Sequence, residues 1–391
     1  MIKILVLIDY ATEFSRRFLT GLIRYSNEKG PWTFYRLPTY YKTLFGEVGI
    51  LERIKEWEID AVLTQWEYEE VGFLEKLDIP VFLQSYKKEG GSFSKISGGF
   101  RETGIMAAQF FAKRRFENFA FYGNKDFFWS KERAEGYRLE VEKLGGNYYY
   151  FESEVLHGVQ WSRIHVDLDN WLLSLPKPVG LLACDDNFAL QVSEMCKINN
   201  IDIPNELSLI GVDNDELICS LSHPSISSII TNDEQGGYDT ARMLHYQIMN
   251  KKNIPFSINI ESIRIEHRKS TEKYNISDEY ILKTVNYIEQ NVTTILTVEK
   301  LMEIVPLSRR SLEIKFRDAM EVSLYQFILD RKMDCICDLL LKTDKDLLDI
   351  AIESGFSDVR NVYRLFKKNK GYTPIEFRKK FSKQIVDSPE S

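Results

Sequence analysis

One short pattern occurs twice near the C-terminal end of this 391-residue chain, and such a repeat leaves few architectures open. The clearer copy reads LLDIAIESGFSDVRNVYRLFKKNKGYTPIEFRKK, from Leu347 to Lys380. It predicts helix, sharp turn, helix. Ile350 and Ala351 fall on the inner side of the first helix, and Gly355 supplies the positive φ that a tight inter-helix turn requires. Ser357 or Asp358 can cap the second helix, since a short side-chain oxygen accepts from backbone N–H groups that a helix start leaves unpaired. Val359, Val362 and Phe366 then make an apolar stripe, while Arg360, Arg364 and Lys367 line another face. A helix with an apolar back and a cationic front fits the major groove of a duplex.

The pattern recurs at an offset of 50 residues. Phe316 answers to Phe366, Leu312 to Val362, Arg310 to Arg360, Arg317 to Lys367, Ser308 to Asp358 and Phe327 to Phe377. Pro306 lies in the turn, Ser308 is the expected N-cap, and Leu307 and Leu312 sit where a hydrophobic staple would place them. Two copies do not make a solenoid, which needs at least three. Two helix-turn-helix units joined by a helical stretch, Leu324 to Leu341, suit two successive major grooves on one face of DNA.

The run GFSDVRNVYRLFKKNKGYTPIEFR, Gly355 to Arg378, resembles the C-terminal signature of the AraC/XylS family of transcription regulators, and the likeness extends over roughly 278–383. It implies that Arg310 reads bases from the first unit and that Arg360 and Arg364 do so from the second. Ser308, Arg309 and Glu313, with Asn361, Lys367 and Lys368, complete the expected DNA-binding set. One departure stands out: Ile314 occupies the position that is Arg364 in the second copy, so the first unit should read fewer bases, with Arg309 or Glu313 substituting.

A net charge of −7 would by itself argue against a nucleic-acid partner. Its distribution reverses the argument. Residues 1–274 carry −7 and residues 275–385 carry +2, while 360–383 hold nine basic residues against Glu376 alone. A local patch of that kind neutralises phosphates whatever the remainder carries. Five scattered cysteines without a CxxC pair suit a reducing cytoplasm and neither a disulfide scaffold nor a zinc site. The opening MIKILVLIDY runs straight into a strand-like segment rather than a signal peptide, and no apolar run approaches a membrane span. A cytoplasmic protein with no membrane partner is expected.

Upstream, from residue 2 to about 268, short apolar runs alternate with helical stretches, which predicts parallel, doubly wound α/β sheets. The fold class is thus α/β followed by all-α. Such sheets bind ligands beyond the carboxyl ends of their strands, where Asp9, Gln65, Asp185, Asp186 and Asp213 fall. ACDDNFAL (Ala183–Leu190), LIGVDN (Leu209–Asn214), the RAEGY helix at Arg133 and PSISSIITNDEQGGYDTARML (Pro224–Leu244) together resemble the ligand-binding part of the LacI/GalR family. That likeness implies a periplasmic-binding-protein-like sensor over 1–268, with lobes of about 1–117 plus 232–252 and 118–231 plus 253–268. Crossings are then expected near Glu117, Thr231 and Lys252, followed by a polar linker at 269–277, the DNA-binding domain at 278–385 and a disordered tail at 386–391.

The implied ligand set is Arg133, Asp185 or Asp186, and Asp213, joined by Asp9 and by Phe14, with Trp66 and Trp129 as further aromatics. Carboxylates accept from vicinal hydroxyls, an Arg fork donates, and aromatic rings cover a sugar's C–H face. For Asp185 and Asp186 a plain helix N-cap is an equal alternative, and Asp213 can instead cap its turn. Arg133 can be a surface residue of its helix, and Phe14, Trp66 and Trp129 fit the core as well as a stacking platform. Two positions depart from the family: Gly98-Gly99 stands where an Asp is common, and Thr231 where a Gln is. The joint resemblance implies a regulator, an activator, that answers a sugar such as xylose or a similar pentose, binds an operator as a homodimer and engages RNA polymerase. The same architecture answering a non-sugar ligand or a protein partner is the competing reading. No nucleophile elbow, phosphate loop or metal-ligand cluster is present in the sequence, so neither enzyme chemistry nor a cofactor or metal is expected.

Overall fold

The computed structural model describes residues 1–37, 41–65, 72–84, 93–96, 98–153, 161–356 and 358–381, the side chains of 42, 43 and 161–165 excepted. Trp66, Ser357 and the 386–391 tail lie outside the described residues. The chain divides into two units, one of Met1–Ala112 with Phe116–Lys273, the other of Lys113–Arg115 with Tyr274 onward.

The first unit holds two six-stranded sheets. Strands β1 (Lys3–Leu7), β2 (Thr33–Arg36), β3 (Ala61–Thr64), β4 (Val81–Leu83) and β5 (Ser94–Ile96) lie in one, and β6 (Asn118–Asn124), β7 (Asn147–Ser153), β8 (Val179–Ala183), β9 (Leu207–Val212) and β10 (Ser227–Thr231) in the other. The C-terminal strands split: β11 (Ser257–Ile258) joins the first sheet beside β5, and β12 (Ser262–Glu266) joins the second beside β10. Among the described residues all pairings are parallel except β10 with β12. Each sheet carries an apolar cluster on either face, which is why β3, β8 and β9 are apolar without alternation and buried along their length.

The lobe boundaries differ from the expected ones. The Phe100–Lys113 helix packs through Ala107, Phe111 and neighbours onto the second sheet with Phe119, Tyr137 and Ile210, so the first crossing is at Gly98-Gly99 and not near Glu117. The third lies between Ile258 and Ser262, because β11 still belongs to the first sheet, and not near Lys252. The second runs from Thr231 into Asn232. A helical pattern reveals an apolar face but not which sheet will cover it. At the crossings the backbones meet directly. Asn232 N donates to Glu261 O (3.0 Å) and Glu261 N to Asn232 Oδ1 (2.6 Å). Gly98 and Gly99 both take positive φ, and a Cβ on Gly99 would sit 1.5 Å from Ile260 O. That close approach excludes any side chain there.

The polar segment at 269–277 is not a free linker at its start. Lys269–Thr271 forms a 3₁₀ turn in which Ser270 and Thr271 are buried. Ser270 Oγ donates to Leu209 O (2.6 Å) and accepts from Ser227 N (2.8 Å), so hydroxyls replace the apolar contacts whose absence in the sequence suggested exposure.

The second unit is helical. Val298–Met302 and Arg309–Met320 form the first helix-turn-helix, Leu324–Lys342 connects, and Leu347–Glu353 with Val359–Lys370 form the second. Pro374–Phe381 follows, and Glu279–Gln290 precedes. Leu312, Phe316, Val362 and Phe366 are fully buried, Gly355 has φ +71°, and Ser308 and Asp358 cap the two second helices through Ser311 N (3.3 Å) and Arg360 N (2.9 Å).

Candidate ligand cleft and nucleic-acid interface

A cavity of about 300 Å³ opens where strand ends of both lobes converge. From the first lobe it is lined by Asp9, Thr12, Phe14, Gln65 and Gln84, and from the second by Phe100, Phe127, Phe128, Trp129, Arg133, Asp185 and Asp213. Arg133 is its centre. The side chain is nearly buried, its Nη1 donates to Cys184 O (2.5 Å), and its guanidinium lies over the rings of Trp129 (4.9 Å) and Phe100 (5.8 Å). Its Nη2 faces Asp213 Oδ1 at 3.5 Å, long enough for a ligand hydroxyl to compete.

The carboxylates differ in role. Asp185 both lines the cavity and caps the helix that follows through Phe188 N (2.9 Å). Burial, and then the neighbouring Asp213, push its carboxyl up to about 6. Burial also raises Asp213, against the pull of Arg133 and Arg17. Asp213 and Asn214 both have positive φ, an uncommon conformation for non-glycine residues that concentrates at functional sites. Asp186 does not line the cavity. It is buried and accepts from Ser228 Oγ (2.6 Å) and Asp215 N (2.7 Å), which fixes the 213–215 turn. Two adjacent strand-end carboxylates look alike in sequence, yet the helix start turns one toward the cleft and the other inward. Asp9 holds Ala11 N through Oδ1 (3.1 Å), and Phe14 stacks on Phe18 with ring centroids 6.1 Å apart.

Several residues here were not anticipated. Phe127 and Phe128 precede the expected Trp129 in an aromatic run that follows the carboxyl end of β6, and that position was their available signal. Asp233, fully buried at the second crossing, does not line the cavity, but burial and then Asp213 hold its carboxyl up at about 7. The lobes are tied across the cleft by Arg16 Nη2 to Asp215 Oδ2 (2.6 Å) and by Arg17 donating to Asp213 O (3.3 Å) and Asn214 O (3.1 Å). Glu13 orients both arginines at 2.9 and 2.7 Å.

In the second unit Arg360, Asn361, Arg364, Lys367 and Lys368 are all exposed on one helix. The first reading helix is less open. Arg310 is exposed, but Arg309 pairs with Glu313 (3.1 Å) and Glu299 (3.5 Å), and Ile314 stands half exposed between them and the helix end. Arg309 and Glu313 engage each other across one turn of this helix, Arg309 remaining exposed and Glu313 partly so.

Comparisons with known proteins agree with this geometry. Residues 108–271 match the model of a periplasmic binding protein-like domain and residues 301–380 that of a helix-turn-helix domain. The xylose operon regulatory protein of Haemophilus influenzae (strain ATCC 51907 / DSM 11121 / KW20 / Rd) is 30% identical over 276 residues, covering 70% of this chain and 71% of that protein. Its counterpart in Escherichia coli (strain K12) is 26% identical over 345 residues, covering 84% and 86%. A solved structure described as the xylose-binding transcription activator xylR shares the fold with a TM-score of 0.60 at 22% identity, covering 97% of this chain and 98% of that one. Fold and site thus define a DNA-binding transcription regulator with a periplasmic-binding-protein-like sensor. The chain belongs to the family of xylose operon regulatory proteins. No helix among the described residues is long and apolar enough to cross a membrane.

Proposed function

We propose that the protein activates genes of pentose use in response to xylose or a closely related pentose, bound in the 300 Å³ cleft, and performs no catalysis of its own. The observation that carries this reading is Arg133, held against aromatic rings and facing Asp213, with Asp185 on the same lobe and Asp9 on the opposite one. Such a set offers one fixed donor fork and several acceptors to a compact polyol, with ring faces for its C–H surface. The volume lies at the lower end of ligand pockets, which favours a monosaccharide. Sugar stabilises the arrangement in which Arg16 and Arg17 grip the 213–215 turn, and it does so only by its differential affinity for that closed state. In the DNA-binding unit Arg310, Arg360 and Arg364 read bases, while Ser308, Arg309, Asn361, Lys367 and Lys368 meet the backbone. A homodimer binds the operator, and RNA polymerase is the downstream partner.

A thermal-shift panel over xylose, arabinose, ribose, glucose and galactose tests the assignment, because a ligand that binds only the folded state raises the midpoint by mass action. The expected result is a shift with xylose that Asp213→Asn removes. A panel without any shift would overturn the sugar reading and leave the DNA-binding half standing.

A further inference from the structure

We infer that Lys332 is a positioning residue that sets the register between the two helix-turn-helix halves, and thereby the spacing of DNA contacts the protein accepts. The inference rests on the reading of the tandem units as a two-groove reader. Lys332 lies near the middle of the Leu324–Lys342 connecting helix and is 7% exposed. A buried ammonium is costly unless its donors are met. Here all three are: Nζ donates to Thr294 O (3.0 Å), Ser354 O (2.8 Å) and Gly355 O (3.2 Å).

These acceptors come from both halves. Thr294 belongs to the loop entering the first unit, and Ser354 with Gly355 forms the turn of the second. Ser354 also closes the C-terminal end of the Leu347–Glu353 helix, where carbonyls lack intrahelical partners and the helix dipole is negative. The two backbones are close enough that a Cβ on Gly355 would lie 2.5 Å from Lys332 Nζ and 2.6 Å from Thr294 O. Neighbouring side chains brace the same point. Arg331 pairs with Glu289 (3.8 Å) and Asp334 (2.7 Å), and Asp334 in turn with Lys370 (2.6 Å), at the end of the second reading helix. Ion pairs between flexible side chains can re-form in another register. A cradle of three main-chain carbonyls cannot, unless the backbone itself moves.

The test uses the full chain and a duplex selected by it from a randomised DNA pool, together with duplexes carrying one or two base pairs inserted between the segments protected by the two halves. Wild type should lose about tenfold or more in affinity on insertion, since each reading helix is bound to one groove position. Lys332→Met, which keeps the aliphatic stem and removes the donors, should shrink that penalty below about threefold, and Lys332→Arg should restore part of it. A loss of stability alone would lower affinity for every spacing equally and leave the penalty intact. An unchanged penalty in Lys332→Met therefore overturns the inference. Should that variant fail to fold, Lys332→Gln is read by the same criterion. Absence of a penalty in wild type would instead overturn the two-groove reading itself, which the wild-type arm reports separately.

Discussion

In the sensor cleft, Arg133 is buried and Asp185 and Asp213 are largely shielded from water. On the Val359–Lys370 helix, Arg360, Arg364, Lys367 and Lys368 stand out into it. Both regions work through charge, and the difference in burial decides how each responds to its surroundings. Buried groups feel their immediate partners and shift their proton affinity, and salt hardly reaches them. Exposed cations answer to ionic strength through counterion release. One chain therefore carries a site tuned by neighbours beside a face tuned by the medium.

Arg133→Met would disturb that contrast most. It leaves the half-buried Asp213 and Asp185 without this counter-charge, which should cost about 2–3 kcal/mol in folding stability and abolish sugar binding. Thermal melting and calorimetric titration with xylose check both effects, and wild-type stability in the variant would remove Arg133 from the centre of the cleft. Next in size, Arg360→Ala should weaken operator binding by about tenfold to a hundredfold and relax selectivity at one base, with no change in sugar affinity. Gel-shift titration against single-base operator variants measures this, and a uniform loss over all sequences would reassign Arg360 to phosphate.

The effect of pH sharpens the comparison further. A sugar hydroxyl donates to ionised Asp185, so binding should strengthen as pH rises through about 6, by up to roughly tenfold between pH 5 and pH 7. Asp185→Asn should flatten that profile. The same raised affinity for a proton works oppositely on the empty sensor. From about pH 4 to pH 6 the folded state keeps a proton that the unfolded chain has shed, so this group's contribution to stability falls as pH rises. The smallest expected effect is that of Lys368→Ala, a few-fold loss in operator affinity with the slope of log affinity against log salt reduced by about 0.9. Sugar titrations across the same salt range should stay level.

The C-terminal unit was legible because its determinants are local. A cap at Ser308 or Asp358, a positive-φ glycine at 355 and apolar residues at helical spacing each act within a few residues. The sensor's sheets were legible for a similar reason, through apolar runs alternating with helices. Lobe membership was not, since the Phe100–Lys113 helix shows an apolar face without naming its partner sheet. Nor was the division of labour between Asp185 and Asp186, which depends on where one turn of helix begins. The aromatic wall at Phe127 and Phe128 resembled ordinary core, and the hydroxyl-bonded turn at Ser270 resembled a loop. Both are decided by contacts between residues far apart in sequence.

The knot of backbones where Gly99 meets Ile260 and Asn232 meets Glu261 acts as an axle rather than a joint. A flexible loop lets two bodies drift independently. Here Asn232 and Glu261 bond to each other while Gly99 packs on Ile260, so the closure proposed above would turn one lobe about a single line. The bonds of Asn232 N and Glu261 N hold two of the crossings together. In the proposed response the cleft walls would carry the contacts to sugar and the crossings only the rotation.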